Sequence, residues 1–186
     1  MEKGGAEKVA SNLTIHLSKR YNVYFIVYDG NNIEYKINGN LIDLKIPSTN
    51  SILGKLNILI RRFLKIRKIK RKYNIDITIS FLENPNLLNI LTRYKDKVIL
   101  TVHSHKSKRT EGFYGKLYYY LIKLFYNKAE KIVTVSHGIK YDLIKNFNLK
   151  RDKISVIYNF IDKKIIHNKK NGEINETEKD IFNKPT

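Results

Sequence analysis

The chain has no cysteine in its 186 residues. That excludes disulfides, a thiolate metal site and a thiol nucleophile. No apolar run is long enough to span a bilayer. The first ten residues, MEKGGAEKVA, lack the apolar core of a signal peptide. These absences suit a cytoplasmic protein, or one peripheral to a membrane on its cytoplasmic face. Acidic residues are scarce: 17 Asp and Glu stand against 36 Lys and Arg, a formal net charge of +19. Such a surplus attracts polyanions, whether nucleic acid, anionic lipid surfaces or phosphorylated substrates. Part of it is compositional, because Lys, Ile, Asn and Tyr are frequent throughout, so the distribution of charge carries more than the total. With 42% hydrophobic residues the chain can bury one sizeable core. Two domains of ordinary size would be a tight fit.

Apolar spacing predicts helices alternating with short strands. Ala6, Val9, Ala10, Leu13 and Leu17 recur at helical intervals, giving a helix from Ala6 to Lys19. The β-branched and aromatic run Tyr21–Tyr28 reads as a strand, with Ile33–Ile37 and Leu41–Ile46 as weaker ones. A long basic helix follows over Gly54–Tyr73, then a strand over Ile75–Phe81. Asn84-Pro85 reads as a cap and first helical position, opening a helix to Tyr94. Lys97–Val102, Lys131–Val135 and Lys153–Tyr158 are further strands, and Phe113–Asn127 is an aromatic-rich helix. Ser136 caps a helix to Phe147. The expected domain covers residues 1–162, and residues 163–186 read as a polar linker or tail.

Strands separated by helices of this length imply βαβ units: a Rossmann-like, doubly wound α/β domain with a mostly parallel sheet and helices on both faces. Ligands in this architecture sit outside the carboxyl ends of the strands. That rule points to Glu83-Asn84, His103-Ser104-His105, Ser136-His137-Gly138 and Asn159-Phe160, which follow strands directly. The chain opens on Gly4-Gly5 and a helix, without the strand that ordinarily precedes such a turn and lies near the middle of the sheet.

Each position admits a functional and a plain reading. Gly4-Gly5 ahead of a helix leaves backbone N–H groups at a positive dipole end, where an anion can approach; a glycine pair is equally a simple tight turn. His103 at a strand end can bond a hydroxyl or phosphate or shuttle a proton, or it can be satisfied by neighbouring backbone. His105 is expected to face solvent. His103-x-His105 has the spacing of half a metal site, with no matching carboxylate or histidine cluster beside it. Ser136 reads as an N-cap before it reads as a nucleophile, while His137 and Asn159 can reach a cleft at this edge.

The helix Gly54–Tyr73 carries a separate signal. Eight of the twelve residues from Arg61 to Lys72 are basic, and no Asp or Glu lies between Asp43 and Asp76. Leu56, Leu59, Phe63, Ile66, Ile69 and Tyr73 form an apolar stripe, expected to face the core. Arg61, Arg62, Lys65, Arg67, Lys68, Arg71 and Lys72 make up a cationic face suited to an anionic membrane or acceptor, each basic residue near such a surface contributing about 1 kcal/mol. The same patch would attract nucleic acid, but the chain shows no nucleic-acid-binding fold and no aromatic stacking platform, so no nucleic acid is expected.

Four blocks, in order, carry a family resemblance. Glu2-Lys3-Gly4-Gly5-Ala6-Glu7-Lys8 resembles the "GGAE(R/K)" turn of GT-B glycosyltransferases of the GT4 family. Thr101-Val102-His103-Ser104, Lys131–Ile139 and Lys153–Asp162 are similar to that family's later strand ends, the last closing its amino-terminal domain. The resemblance implies one half of a GT-B fold: the acceptor-side domain of a retaining sugar transferase, with the nucleotide-sugar-binding domain expected beyond Asp162. It implies that Gly4 and Gly5 meet donor phosphate or acceptor hydroxyls, and that His103 contacts the donor sugar near the reacting carbon. It implies no metal or other cofactor besides the nucleotide-sugar substrate. The implied acceptor is a cell-envelope glycan or a lipid-linked glycan. An alternative is a membrane-docking subunit whose donor-binding domain is a separate chain.

Overall fold

The computed structural model describes residues 4–31, 33–49, 51–107 and 112–159. Helices and strands alternate: α1 Gly5–Leu17, β1 Tyr24–Val27, β2 Asn40–Asp43, α2 Ile52–Lys72, β3 Ile77–Phe81, α3 Glu83–Leu91, β4 Lys97–Val102, α4 Gly112–Phe125, β5 Lys131–Thr134, α5 His137–Phe147 and β6 Ile154–Val156. Among the described residues every strand pairing is parallel. β1 pairs with β2, and β3-β4-β5-β6 form a second sheet in sequence order. This is the Rossmann-like α/β architecture that the alternation predicts. The expected closing segment from Phe160 to Asp162 and the tail 163–186 lie outside the described residues.

Side-chain alternation shows where the core sits. The parallel register puts Thr78, Ser80, Val98, Leu100, Val102, Ile132 and Ile154 on one face of the larger sheet. The apolar members of that face pack with Ile90 of α3, Ile122 of α4 and Ile139, Leu143 and Phe147 of α5. Burying each such side chain stabilises the fold by about 1.5–3 kcal/mol. The other face is less covered: Ile79, Phe81, Ile99 and Val133 are half-buried and Ile77 is exposed. A smaller cluster of Leu44, Ile46, Ile66 and Leu88 joins the segment after β2 to α2 and α3.

The weaker strand expected over Ile33–Ile37 does not form. That segment is tied to α1 by side-chain bonds instead: Ser11 Oγ donates to the Lys36 carbonyl at 2.6 Å, Asn38 N–H donates to Thr14 Oγ1 at 3.1 Å, and Tyr35 Oη donates to the Gly4 carbonyl at 3.3 Å. β2 stops at Asp43 because Lys45 adopts a left-handed φ of 52°. Leu44 and Ile46 are nonetheless buried. α3 begins at Glu83, one residue before the expected cap, and Pro85 sits in its first turn, where its missing N–H costs nothing.

α2 is fixed by polar bonds made inward. Lys70 is 2% exposed, and its ammonium donates to Asp96 Oδ2 at 2.7 Å, Asn89 Oδ1 at 2.8 Å and the Asn89 carbonyl at 3.1 Å. Asp96 also accepts from Thr78 Oγ1. Hydrogen bonds from Lys70, Thr78 and the Tyr94 N–H outweigh burial and hold the Asp96 carboxyl below its usual range. Arg62 is buried too and donates to the Ile46 carbonyl at 2.6 Å, its guanidinium lying 3.9 Å from the Tyr28 ring centre. Lys65 donates to the Leu44 carbonyl at 2.7 Å. Arg62 therefore leaves the expected cationic surface, and Lys65 is partly engaged by the fold. The expected apolar stripe holds in part: Ile66 is buried and Phe63 and Ile69 pack against its cluster, whereas Leu56 and Leu59 are exposed.

Removing one partner of a buried pair strands the other charge, which costs about 3–5 kcal/mol. Lys70→Met should therefore lower unfolding stability in urea by that order. The double variant Lys70→Met, Asp96→Leu should recover much of the loss. If the double variant is as unstable as the sum of its single variants, the pair does not act as a unit.

Candidate functional site

The strands of the larger sheet run parallel, so β3, β4 and β5 deliver Leu82, His103 and Val135 to one edge. At the end of β3, Leu82 adopts φ 71°, ψ 167°, a conformation that costs a non-glycine residue about 1–3 kcal/mol. The bend points the chain directly into α3, whose first residue is Glu83. Glu83 forms an ion pair with Lys106, whose side chain is buried and also donates to Ser104 Oγ at 3.0 Å.

The loop after β4 is held from beneath. The Asp142 carboxylate on α5 is buried and accepts the Lys106 N–H at 2.7 Å and the Ser107 N–H at 3.2 Å. It also accepts from Asn146 Nδ2 at 2.7 Å. These bonds outweigh burial and keep its pKa below the usual carboxylate range. His105 leans on the same helix. Its ring lies 3.3 Å from where a Cβ on Gly138 would stand, and Nδ1 lies 4.0 Å from Asp142 Oδ2. As expected, His105 meets solvent, with 41% of its side chain exposed, while one side of the ring rests on α5. His103 turns elsewhere, toward Thr101 Oγ1 at 3.2 Å and the Phe81 ring at 5.9 Å between centroids. The two histidines do not converge.

His103 is half-buried and electrostatically joined to three neighbours. Burial and the Lys106 ammonium lower its pKa from 6.5, while the Glu7 and Glu83 carboxylates oppose them. Glu7 lies on the first turn of α1, so that turn is within electrostatic reach of His103. The Glu7 side chain folds back over Gly4, where any Cβ would collide with its carboxylate. Gly4 itself has an ordinary extended backbone, φ −122° and ψ 157°. Gly5 has nothing within 4 Å of where a Cβ would be. Neither glycine is required by a positive φ, so the pair is not explained as a tight turn. Its effect is a bare backbone at a helix N-terminus, with the Glu7 carboxylate standing at that end.

The remaining expected residues divide. Ser136 Oγ accepts the Ile139 N–H at 3.3 Å, so it serves as the N-cap of α5. His137 is exposed on the first turn of α5, its ring 6.2 Å from that of Tyr158. Asn159 is exposed beyond β6. Sequence reading missed Lys106 altogether, and pointed to Glu83 as a strand-end residue without giving it a role. It also missed a cavity of about 290 Å³ beside them, lined by Glu83, Lys106, Tyr114, Tyr118, Ile122 and Phe147. Burial raises the pKa of the Tyr118 phenol, so that it faces the cavity as a neutral hydroxyl. An ionic pair beside phenol rings can bond hydroxyl groups and stack on an apolar ring face, which is the chemistry a sugar ring offers.

In a parallel α/β domain, ligands sit at the strand ends, where this chain brings a histidine and an ion pair. Residues 3–164 match the profile of Glycosyltransferase Family 4, and the chain belongs to that family. A Campylobacter jejuni protein named N-acetylgalactosamine-N,N'-diacetylbacillosaminyl-diphospho-undecaprenol 4-alpha-N-acetylgalactosaminyltransferase is 30% identical over 167 residues, covering 86% of this chain and 45% of that protein. The Salmonella typhimurium O-antigen chain mannosyltransferase RfbU is 34% identical over 64 residues, 34% of this chain and 18% of that protein. Among solved structures, a glycosyltransferase from Rickettsia africae matches with a TM-score of 0.63 at 18% identity, over 100% of this chain and 48% of that one. Anabaena HepE, solved with UDP and glucose, matches with a TM-score of 0.59 at 15% identity, over 87% of this chain and 42% of that one. The structural likenesses bear on fold alone. The chain spans about half the length of the Campylobacter relative and of these solved structures.

The lowered pKa of His103 has a consequence for stability. The unfolded chain takes up a proton near 6.5 and the folded chain resists it. Stability therefore falls as pH drops from that value through the lower folded pKa. Urea midpoints of the wild type should decline between about pH 7 and pH 5 more steeply than those of His103→Gln. Parallel pH profiles would show that His103 meets no charge penalty in the fold.

Proposed function

We propose that this chain is the acceptor-side domain of a retaining glycosyltransferase that moves a sugar from a nucleotide-sugar donor to a cell-envelope glycan or lipid-linked acceptor. The observation that carries the reading is the meeting of the first turn of α1, His103 and the Glu83–Lys106 pair at one sheet edge, in a chain of Glycosyltransferase Family 4. The names of the relatives support the substrate class: one acts on a diphospho-undecaprenol-linked sugar and another on O-antigen chains. HepE was solved with UDP-glucose, which supports a nucleotide-sugar donor.

The donor would be held by a second domain, on the same polypeptide or on a partner chain, and the reaction would take place in the cleft between the two. This domain contributes the bare Gly4-Gly5 backbone, the His103 ring and the cavity beside Lys106. His103, neutral near pH 7 because its pKa is lowered, can accept a hydrogen bond from a sugar hydroxyl. The leaving diphosphate would be stabilised by helix N-termini and basic side chains rather than by a metal ion held here. The sheet offers a further piece of support. The four-stranded sheet runs in sequence order, which fits one half of a GT-B fold.

Two measurements test the reading. The isolated chain should turn over no nucleotide sugar, because half the cleft is elsewhere. Robust transfer by the purified 186-residue chain alone would overturn the half-enzyme assignment. In a complete enzyme carrying this domain, His103→Ala should lower kcat by more than about tenfold while the urea midpoint is held. Retained turnover with a large loss of stability would make His103 structural.

A further inference from the structure

α2 presents two opposite faces, and only one of them is occupied. Arg62, Ile66 and Lys70, spaced by four, point inward and are buried. Leu53, Leu56, Ile60 and Leu64, spaced by three and four, share the outward face and are 82%, 59%, 51% and 58% exposed. Four large aliphatic residues thus line a solvent-facing ridge about 17 Å long, at 1.5 Å per residue. Helical phase carries the same ridge onward into Arg67, Lys68 and Arg71. On α4, Leu117, Tyr120 and Leu124 are likewise exposed. Neither helix contains a single Asp or Glu.

We infer that the outward ridge of α2 docks this chain on an anionic lipid bilayer. Leu53, Leu56, Ile60 and Leu64 enter the headgroup–acyl boundary, and Arg67, Lys68 and Arg71 meet lipid phosphates beside them. Charge decides among the occupants. A second copy would bring one acid-free cationic helix against another in a chain of net charge +19, which repels. Nucleic acid would use the cations but leaves the aliphatic ridge without a partner, and the ridge carries no aromatic side chain for a base to stack on. A bilayer with anionic headgroups uses both halves, the apolar stretch by burial and the basic stretch by attraction. No helix of the described residues is long and apolar enough to cross a membrane, so this contact lies on the surface. The inference adds to the proposed function the place where a lipid-borne acceptor would be met. Binding to lipid needs neither donor nor acceptor, so either reading can fail alone.

The chain contains no tryptophan, so a single introduced one reports on its own position. Ile60→Trp and Leu64→Trp, in the 186-residue chain, should show a blue-shifted emission with vesicles of phosphatidylglycerol and phosphatidylcholine, and none with phosphatidylcholine alone. Tyr21→Trp, at an exposed position away from the ridge, should show no shift. Changing Leu53, Leu56, Ile60 and Leu64 together to Ser should weaken co-sedimentation at about 0.15 M salt by at least about tenfold. Because these side chains are exposed, the urea midpoint should be unchanged. Changing Arg67, Lys68 and Arg71 to Ser should abolish the preference for phosphatidylglycerol. An equal shift at Tyr21→Trp, no shift at the ridge, or undiminished sedimentation of the Ser variant would overturn the inference. A dimer of the wild type that the Ser variant dissolves would assign the ridge to a second copy. Tighter binding to duplex DNA than to the vesicles at equal salt would assign it to nucleic acid.

Discussion

The buried Lys70 ammonium is the contact on which the arrangement of this domain turns. α2 connects the β1-β2 pair to the larger sheet and has few ways to be held at one rotation about its axis. Lys70 supplies that hold, because its ammonium meets four acceptors, one on Asp96, two on Asn89 and one on Thr78, from three different segments. A hydrophobic contact would tolerate a helix turned by several degrees; a desolvated ammonium does not. Arg62, two turns earlier, repeats the device by reaching the Ile46 carbonyl. With Arg62 and Lys70 committed inward, the rest of the helix has no freedom in what it shows to solvent.

That constraint explains why α2 was the hardest element to read from sequence. Its periodicity was plain, and its length was nearly right. The face was legible in part, because the helix carries two apolar stripes: Phe63, Ile66 and Ile69 pack on the core, while Leu56 and Leu59 are exposed. Leu56, Leu59, Phe63, Ile66, Ile69 and Tyr73 repeat at helical spacing, and so do Leu53, Leu56, Ile60 and Leu64. Hydrophobic periodicity ranks stripes by content and cannot know that two basic residues among the inward stripe will be buried. Arg62 and Lys70 look like every other cation in a lysine-rich stretch. Their partners, a carbonyl sixteen residues earlier and a carboxylate twenty-six residues later, leave no local signal.

The strands and strand ends were legible for the opposite reason. β-branched runs such as Lys97–Val102 report burial locally, and the parallel topology follows from alternation with helices. His103 and the Gly4-Gly5 turn could be singled out because their place in the order of elements is itself the information. Ile33–Ile37 failed the same test, since its alternation was real but its backbone and side chains were taken by Ser11, Thr14 and Gly4 of the α1 segment. The pairings at the site escaped notice because they act across distance. Glu83 and Lys106 lie twenty-three positions apart, and Asp142 reaches the Lys106 N–H from thirty-six.

These long-range pairs give the edge of the sheet its particular chemistry. A helix N-terminus attracts anions, and here the Glu7 carboxylate already stands at the end of α1. A phosphate approaching Gly4 and Gly5 must therefore displace that carboxylate or share the site with a cation. Lys106 is the nearest ammonium that acts on His103, but Glu83 neutralises it. The edge is consequently balanced in charge although the chain as a whole is strongly basic. A domain that held a nucleotide diphosphate on its own would leave such an edge positive. A balanced edge with a neutral imidazole and buried phenols suits hydroxyl groups better, and leaves the diphosphate to be met from the opposite side of a cleft. The basic surplus lies instead on α2, where Arg61, Lys68, Arg71 and Lys72 are exposed.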